Sequence, residues 1–265
     1  MPAAFSSNLD PWIALSIGNS RLHWALFAQD SLQQTCHTPH PDLDPPQNWS
    51  DWQQLCPFLS QENLYPDLWV ASVVPSQTQL WQHYPHVTIL ERADIPLKGM
   101  YPTLGLDRAI ALWSAGITYG WPTLVIDGGT ALTFTGADAN GCLVGGAILP
   151  GLGLQMRSLQ SQTADLPIVE LPDCLPQLWA TDTEMAMQSG VLYGAIAGLT
   201  HRIEQWQTLH PTAHIILTGG DAETLSTYLN LWHQPPNRPD WVQSLHLNAH
   251  LLLQGIAAIR SKKRP

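Results

Sequence analysis

Residues 124–136, LVIDGGTALTFTG, run apolar up to a single acid, Asp127, then pass through two glycines and a threonine into an apolar–polar alternation. Period-two alternation suits a half-buried strand and Gly-Gly suits a two-residue hairpin turn, so the stretch reads as strand, tight turn, strand. The same turn can also grip an anion. Glycine puts no Cβ between backbone N–H groups and a phosphate, Thr130 offers a hydroxyl, and the Asp127 carboxylate is left for a cation. A plain hairpin and a phosphate turn both satisfy these residues. A related stretch lies near the N-terminus, where residues 12–27, WIALSIGNSRLHWALF, read as two strands joined at Gly18-Asn19-Ser20. Each stretch begins a series of strands followed by helices, so the chain reads as two copies of one strand-rich α/β unit.

A length of 265 residues is enough for one large domain or two smaller ones with ample core. The net charge of −10 argues against nucleic acid or an anionic membrane as partner. Arg260, Lys262, Lys263 and Arg264 crowd the last positions, and Lys98 is the only other lysine. This basic tail reads as a solvated, frayed end. Bound phosphate must then be held by backbone amides, hydroxyls, a few arginines and metal ions. Cys36, Cys56, Cys142 and Cys174 show no C-x-x-C spacing, so neither a zinc site nor a disulfide framework is indicated. No apolar run reaches membrane-spanning length and no secretory leader is evident, which points to a soluble cytoplasmic protein.

Between the two turns, residues 31–66 are rich in Pro, Gln and Asp and read as loops, Asp44-Pro45-Pro46 among them, around one short helix at 49–58. Strands are expected at 68–74, ended by Pro75, and at 88–90. A helix over 107–117 offers Ile110, Ala111, Ser114 and Ala115 as a close-packing face. After strands at 122–127, 131–137 and 141–148, helices are expected at 152–161, 181–206, 221–232 and 247–262. A buried strand at 213–217 delivers Thr218-Gly219-Gly220 to a helix start, a favourable place for a nucleotide. Gly190, Gly194, Ala195, Ala197 and Gly198 let another backbone approach the 181–206 helix, either inside the molecule or across an interface. The dense tryptophans read as core and surface packing.

Two such units facing one another, each with a mixed five-stranded sheet flanked by helices, make the actin-like, RNase-H-like (ASKHA) α/β architecture with an ATP cleft between duplicated domains. The expected division is 1–117, with the phosphate turn 16–23 and a loop at 105–108, and 118–265, with the turn 127–130. Seven segments in order, IGNS, LGLDRAIAL, VIDGGTALTF, GGAILPG, LPIVEL, DTEMAMQSGVLYG and LTGG, resemble the type III pantothenate kinases. The resemblance implies ATP-dependent phosphorylation of pantothenate to 4′-phosphopantothenate, the first step of coenzyme A biosynthesis.

The resemblance also implies roles for residues. Asp107 is similar to the family's general base, a task a carboxylate suits because phosphoryl transfer needs an oriented nucleophile more than a strong base. Asp107 equally suits a helix N-cap, and one residue can do both. Arg108 matches the group that pairs with the substrate carboxylate, where a planar guanidinium binds in bidentate fashion; the alternative is a surface ion pair. Gly105 and Leu106 share that substrate loop. Thr183 matches a pantothenate-contacting hydroxyl or simply opens its helix. Tyr101 stands for a substrate-contacting tyrosine, although this chain has YPTLG where the family carries a longer Y-x-N-P-x-x-L-G. Asp127 matches the acid that binds a monovalent cation, K⁺ or NH₄⁺, and Thr130 the threonine on the ATP phosphates. Mg²⁺ is expected with ATP, and a homodimer is expected to complete the site.

The first phosphate motif departs from the family's D-x-G-N-T. Here Ser16, Ile17, Gly18, Asn19, Ser20, Arg21, Leu22 and His23 form the ATP segment, and Ser16 lacks the carboxylate expected to hold Mg²⁺. Arg21 and His23 stand where a cation is wanted. The departure opens a second reading, a non-catalytic relative that binds nucleotide or pantothenate and regulates. A remoter third is another actin-like phosphotransferase acting on a sugar or polyphosphate, for which the expected extra basic residues are missing.

Overall fold

The computed structural model describes residues 11–41, 48–59 and 65–264. Asp44-Pro45-Pro46 and part of the 31–66 stretch lie outside them. Among the described residues the chain forms two units. The first takes in 11–96, 101–114 and 252–264, and the second 97–100 and 115–251.

In the first unit, β1 (Pro11–Ile17) is buried at every residue after Pro11. It lies mid-sheet, antiparallel to β2 (Leu22–Ala28) and parallel to β4 (Asp67–Ser72). With β3 (Ser31–Thr38) and β5 (Val87–Ile89) the sheet runs β3-β2-β1-β4-β5. Its core gathers Ile13, Leu15, Val70 and Leu80 with Trp24, Trp52, Trp81 and Tyr84. Trp24 meets Trp81 edge-on at 5.1 Å between centroids, so the tryptophans here are core.

β3 corrects the expectation of loops after residue 31. It is an edge strand whose polar, alternating SLQQTCHT carries no apolar run, and only pairing with β2 reveals it. Pro75 ends β4 as expected but also opens a helix, α2 (Pro75–Trp81), where proline at the first position has no N–H to lose. α1 (Trp49–Leu55) is the short helix of that region, capped by the Asn48 side chain.

In the second unit, β6 (Thr123–Gly128) lies mid-sheet, antiparallel to β7 (Ala131–Ala137) and parallel to β9 (His214–Thr218). With β8 (Leu143–Pro150) and β10 (His246–Leu247) the sheet runs β10-β9-β6-β7-β8. Read outward from the central strand, this is the strand order of the first unit. Helices α4 (Leu152–Ser161), α5 (Thr183–Leu209) and α6 (Ala222–Trp232) supply Met156, Leu192, Ile196, Leu225 and Leu229 to its core. The short α7 (Asp240–Gln243) precedes β10.

α3 (Leu106–Tyr119) forms where a helix was expected, and its Ile110 and Ser114 face Gly255 of α8 (Leu251–Lys263). The last helix therefore belongs with the first unit from Leu252 onward, not with the second. Its basic end is not frayed. The Arg260 guanidinium lies 4.4 Å over the Trp12 ring, Lys262 lies 4.8 Å over Trp113, Lys263 pairs with Asp94, and Arg264 pairs with Asp67. Acids and aromatic faces far away in sequence supply partners that the tail alone does not reveal.

Candidate functional site

The first turn joins two paired strands, with Ser16 opposite His23 and Ile17 opposite Leu22. Gly18 N–H donates to Arg21 O at 3.1 Å, which closes a four-residue turn and leaves Asn19, Ser20 and Arg21 exposed. Ser16 is buried, as are Ile17 and Leu22. His40, which the sequence did not single out, reaches back with Nε2 2.9 Å from Gly18 O. His23 supplies no cation. Burial, with His37 and Arg21 adding to it, pushes its pKa down to about 4, so the ring is neutral at physiological pH.

The second segment runs from Tyr101 into α3. Leu104 N–H donates to Tyr101 O at 3.1 Å, and Ala109 N–H closes the first helical turn on Gly105 O at 3.0 Å. The Asp107 carboxylate accepts from Arg108 N–H at 2.8 Å. It folds back over Gly105, where a Cβ would come within 2.6 Å of Asp107 Oδ1, so this approach needs glycine. Burial pushes the Asp107 carboxyl above the usual carboxylate range, against the lowering pull of the Arg108 N–H and guanidinium. Arg108 is itself buried, and its Nη1 donates to the Tyr101 hydroxyl at 3.3 Å. Tyr101, Gly105, Asp107 and Arg108 are thus brought together. Beside them a cavity of about 430 Å³ is lined by Glu91, Arg92, Ala93, Leu104 and Leu106.

The second turn belongs to the other unit. Asp127 is the next-to-last residue of β6, opposite Thr133 on β7 and Thr218 on β9. Gly129 N–H donates to Ala131 O at 3.0 Å, and the Thr130 carbonyl accepts from Gly151 N–H at 3.0 Å. The Gly-Gly after β9 closes over this turn. Gly219 has φ +88°, and a Cβ there would overlap Asp127 Oδ1 and Gly128 O. Both the backbone angle and the space demand glycine. Asp221 N–H donates to Gly128 O at 2.9 Å, while burial raises the Asp221 carboxyl pKa and Arg157 of α4 opposes the rise. The sequence reading missed Asp221 and Arg157. An acid directly after Gly-Gly at a helix start was the available signal.

Thr183 is the first residue of α5 and is exposed, with Asp182 capping the helix through Met185 N–H at 2.9 Å. Among the described residues no group of three His, Cys, Asp or Glu side chains is placed to hold a metal, and no helix is long and apolar enough to cross a membrane.

The sequence pattern that defines the type III pantothenate kinases matches residues 12–205. A type III pantothenate kinase from Nostoc sp. is 43% identical over 94% of this chain and 94% of its own length. Among solved structures, a conserved putative Baf family transcriptional activator from Campylobacter jejuni aligns with TM-score 0.63 at 18% identity, covering 94% of this chain and 98% of that one. A putative 2-dehydro-3-deoxygalactonokinase from Sinorhizobium meliloti aligns with TM-score 0.57 at 12% identity, covering 96% and 97%. At these identities the two structures speak for the actin-like fold alone. Nothing among these relatives favours a non-catalytic reading.

Proposed function

The chain belongs to the type III pantothenate kinase family, and from that premise we propose how its residues share the reaction. The protein phosphorylates pantothenate with ATP as donor, giving 4′-phosphopantothenate in the first step of coenzyme A biosynthesis. The observation that carries the division of roles is the partly buried Asp107 at the start of α3, with its carboxyl pKa raised. There the carboxylate takes the proton of the primary hydroxyl as that oxygen attacks the γ-phosphorus of ATP, the bond from that phosphorus to the β,γ-bridging oxygen breaks, and ADP leaves. A raised pKa makes this carboxylate a stronger base than a free one. Arg108, oriented by its bond to Tyr101, receives the pantothenate carboxylate through its planar fork. Gly105 and Leu106 line the same loop, and Thr183 offers a hydroxyl to pantothenate.

Backbone N–H groups and hydroxyls along Ser16–His23, together with Thr130, hold the ATP phosphates, since the chain has so few lysines. The donors present fit two cations differently. The Asp127 carboxylate, at the end of β6, suits a weakly hydrated monovalent ion, so Asp127 would hold K⁺ or NH₄⁺. Ser16 offers only a hydroxyl, which fits Mg²⁺ that arrives on ATP and keeps several waters. Bound there, these ions would neutralise charge on the transferring phosphate.

A homodimer in the cytoplasm completes the proposal. The exposed side of α5 supports it, because a Cβ at Gly190, Gly194 or Gly198 would meet nothing within 4 Å. Internal packing therefore does not account for these small residues. Gly194→Arg should convert the dimer to a monomer in sedimentation velocity; an unchanged sedimentation coefficient would count against this face. For the reaction, the test is purified protein with ATP, Mg²⁺, K⁺ and pantothenate, scored for phosphopantothenate. Product formation that survives Asp107→Asn at full rate would remove Asp107 as the base.

A further inference from the structure

The segment that presents Asp107 begins at Gly105, the residue with the most backbone freedom, so its entry into α3 needs an anchor from outside. The first unit supplies one. Arg92 Nη1 donates to Leu104 O at 3.2 Å, gripping the peptide immediately before Gly105. Arg92 opens a 3₁₀ turn, Arg92–Asp94, of only three residues. That turn is closed by a reciprocal cap: the Glu91 side chain accepts from Asp94 N–H, and Glu91 N–H donates to Asp94 Oδ2 at 2.9 Å. Asp94 is in turn paired with Lys263, near the end of α8. One residue earlier, Lys262 lies over Trp113 of α3 itself. Nothing in the phosphoryl-transfer reading requires a basic C-terminal end, yet each of its charges is spent on the first unit.

We infer that Lys263, Asp94 and Arg92 form a relay by which the C-terminal helix positions the Asp107 loop, with Arg92 and Lys263 acting as positioning residues. The inference rests on the assignment of Asp107 as base. Lys263 is substantially exposed, and exposed ion pairs add little to stability. The relay therefore sets where a carboxylate points more than whether the unit folds. Misplacing a reacting group by an ångström can cost about a hundredfold in rate, so a loosened loop should cost roughly tenfold.

The experiment compares the full-length Arg92→Ala, Lys263→Glu and Asp107→Asn proteins for kcat, for KM of ATP and pantothenate, and for melting temperature. Arg92→Ala and Lys263→Glu should each lower kcat roughly tenfold, leaving KM for ATP and the melting temperature near wild type. Arg92→Lys and Lys263→Arg should recover most of the lost kcat. Unchanged kcat in both variants, with Asp107→Asn inactive, overturns the relay and leaves Asp107 as base. Loss of kcat in step with melting temperature, without rescue by the conservative variants, also overturns it, since that is the signature of a brace. Full activity in Asp107→Asn instead removes the reading on which the relay depends.

Discussion

The two units share a strand order but not a charge pattern. Ser16 and Asp127 occupy the same place, the next-to-last residue of the central strand, ahead of a glycine turn and beside a parallel neighbour. In the first unit that place holds a buried hydroxyl, and His23 just past the turn is neutral. In the second it holds a carboxylate crowded by Gly219, with Asp221 bonded through its N–H to the adjoining glycine. The first unit instead keeps its acid at Asp107, on the loop into α3. Repeated topology thus supplies two similar turns, and the proposed roles divide between the units: base and substrate-carboxylate partner in one, cation ligand in the other.

The largest effect should come from breaking the first unit's share. Asp107→Asn should lower kcat by about 10²–10⁴, the range for a positioned base, with KM for ATP little changed. In the wild type, the acid limb of the kcat/KM profile should lie above the ordinary carboxylate range. The carboxyl is raised in the fold, so it becomes protonated, and useless as a base, at a higher pH than a free carboxyl would. By linkage, the folded state gains from this group at low pH and loses that gain as pH rises through the raised pKa. An acid limb at the ordinary position, or one unmoved by Asp107→Asn, would break this half of the comparison.

Next comes the second unit's acid. Asp127→Ala should cost about thirtyfold in kcat/KM, near 2 kcal/mol of transition-state stabilisation, and should abolish any difference between K⁺ and Na⁺. Retained K⁺ activation would move the cation elsewhere. Gly219→Ala should act on the same site more gently. It forces a Cβ into a positive-φ position against Asp127, costing about 1–3 kcal/mol of stability in denaturant titration and weakening K⁺ activation.

The smallest effect, and the sharpest comparison, is Ser16→Asp, which gives the first turn the acid of the second. An unpaired carboxylate in that buried place should lower the melting temperature without ligand. Mg²⁺-ATP should restore it, and the Mg²⁺ requirement for turnover should become steeper. A melting temperature indifferent to Mg²⁺-ATP would mean that the two turns are not equivalent in metal handling.

Most of the site's parts were legible as contiguous residues. Both turns, the Gly105–Arg108 loop and the Thr218–Gly220 strand end are local signals in which a strand runs into glycine and a polar side chain. β3 was not legible, because an exposed edge strand of mixed polarity looks like loop until its partner β2 is beside it. Asp221 was passed over as an ordinary first residue of a helix. Only its bond to Gly128 O, nearly a hundred positions earlier, places it at the second turn.

The sequence by itself determined the two-copy organisation, the place of each glycine turn and the family, because those are written in short runs whose spacing survives without three-dimensional knowledge. Only the tertiary structure decided that the basic C-terminal end is tied down rather than frayed, as in the bond of Ser261 to Asp30 across 231 positions. It also decided that His23 is neutral and that the Asp107 carboxyl titrates high. Burial and charge depend on what distant segments bring alongside, and no local pattern contains that.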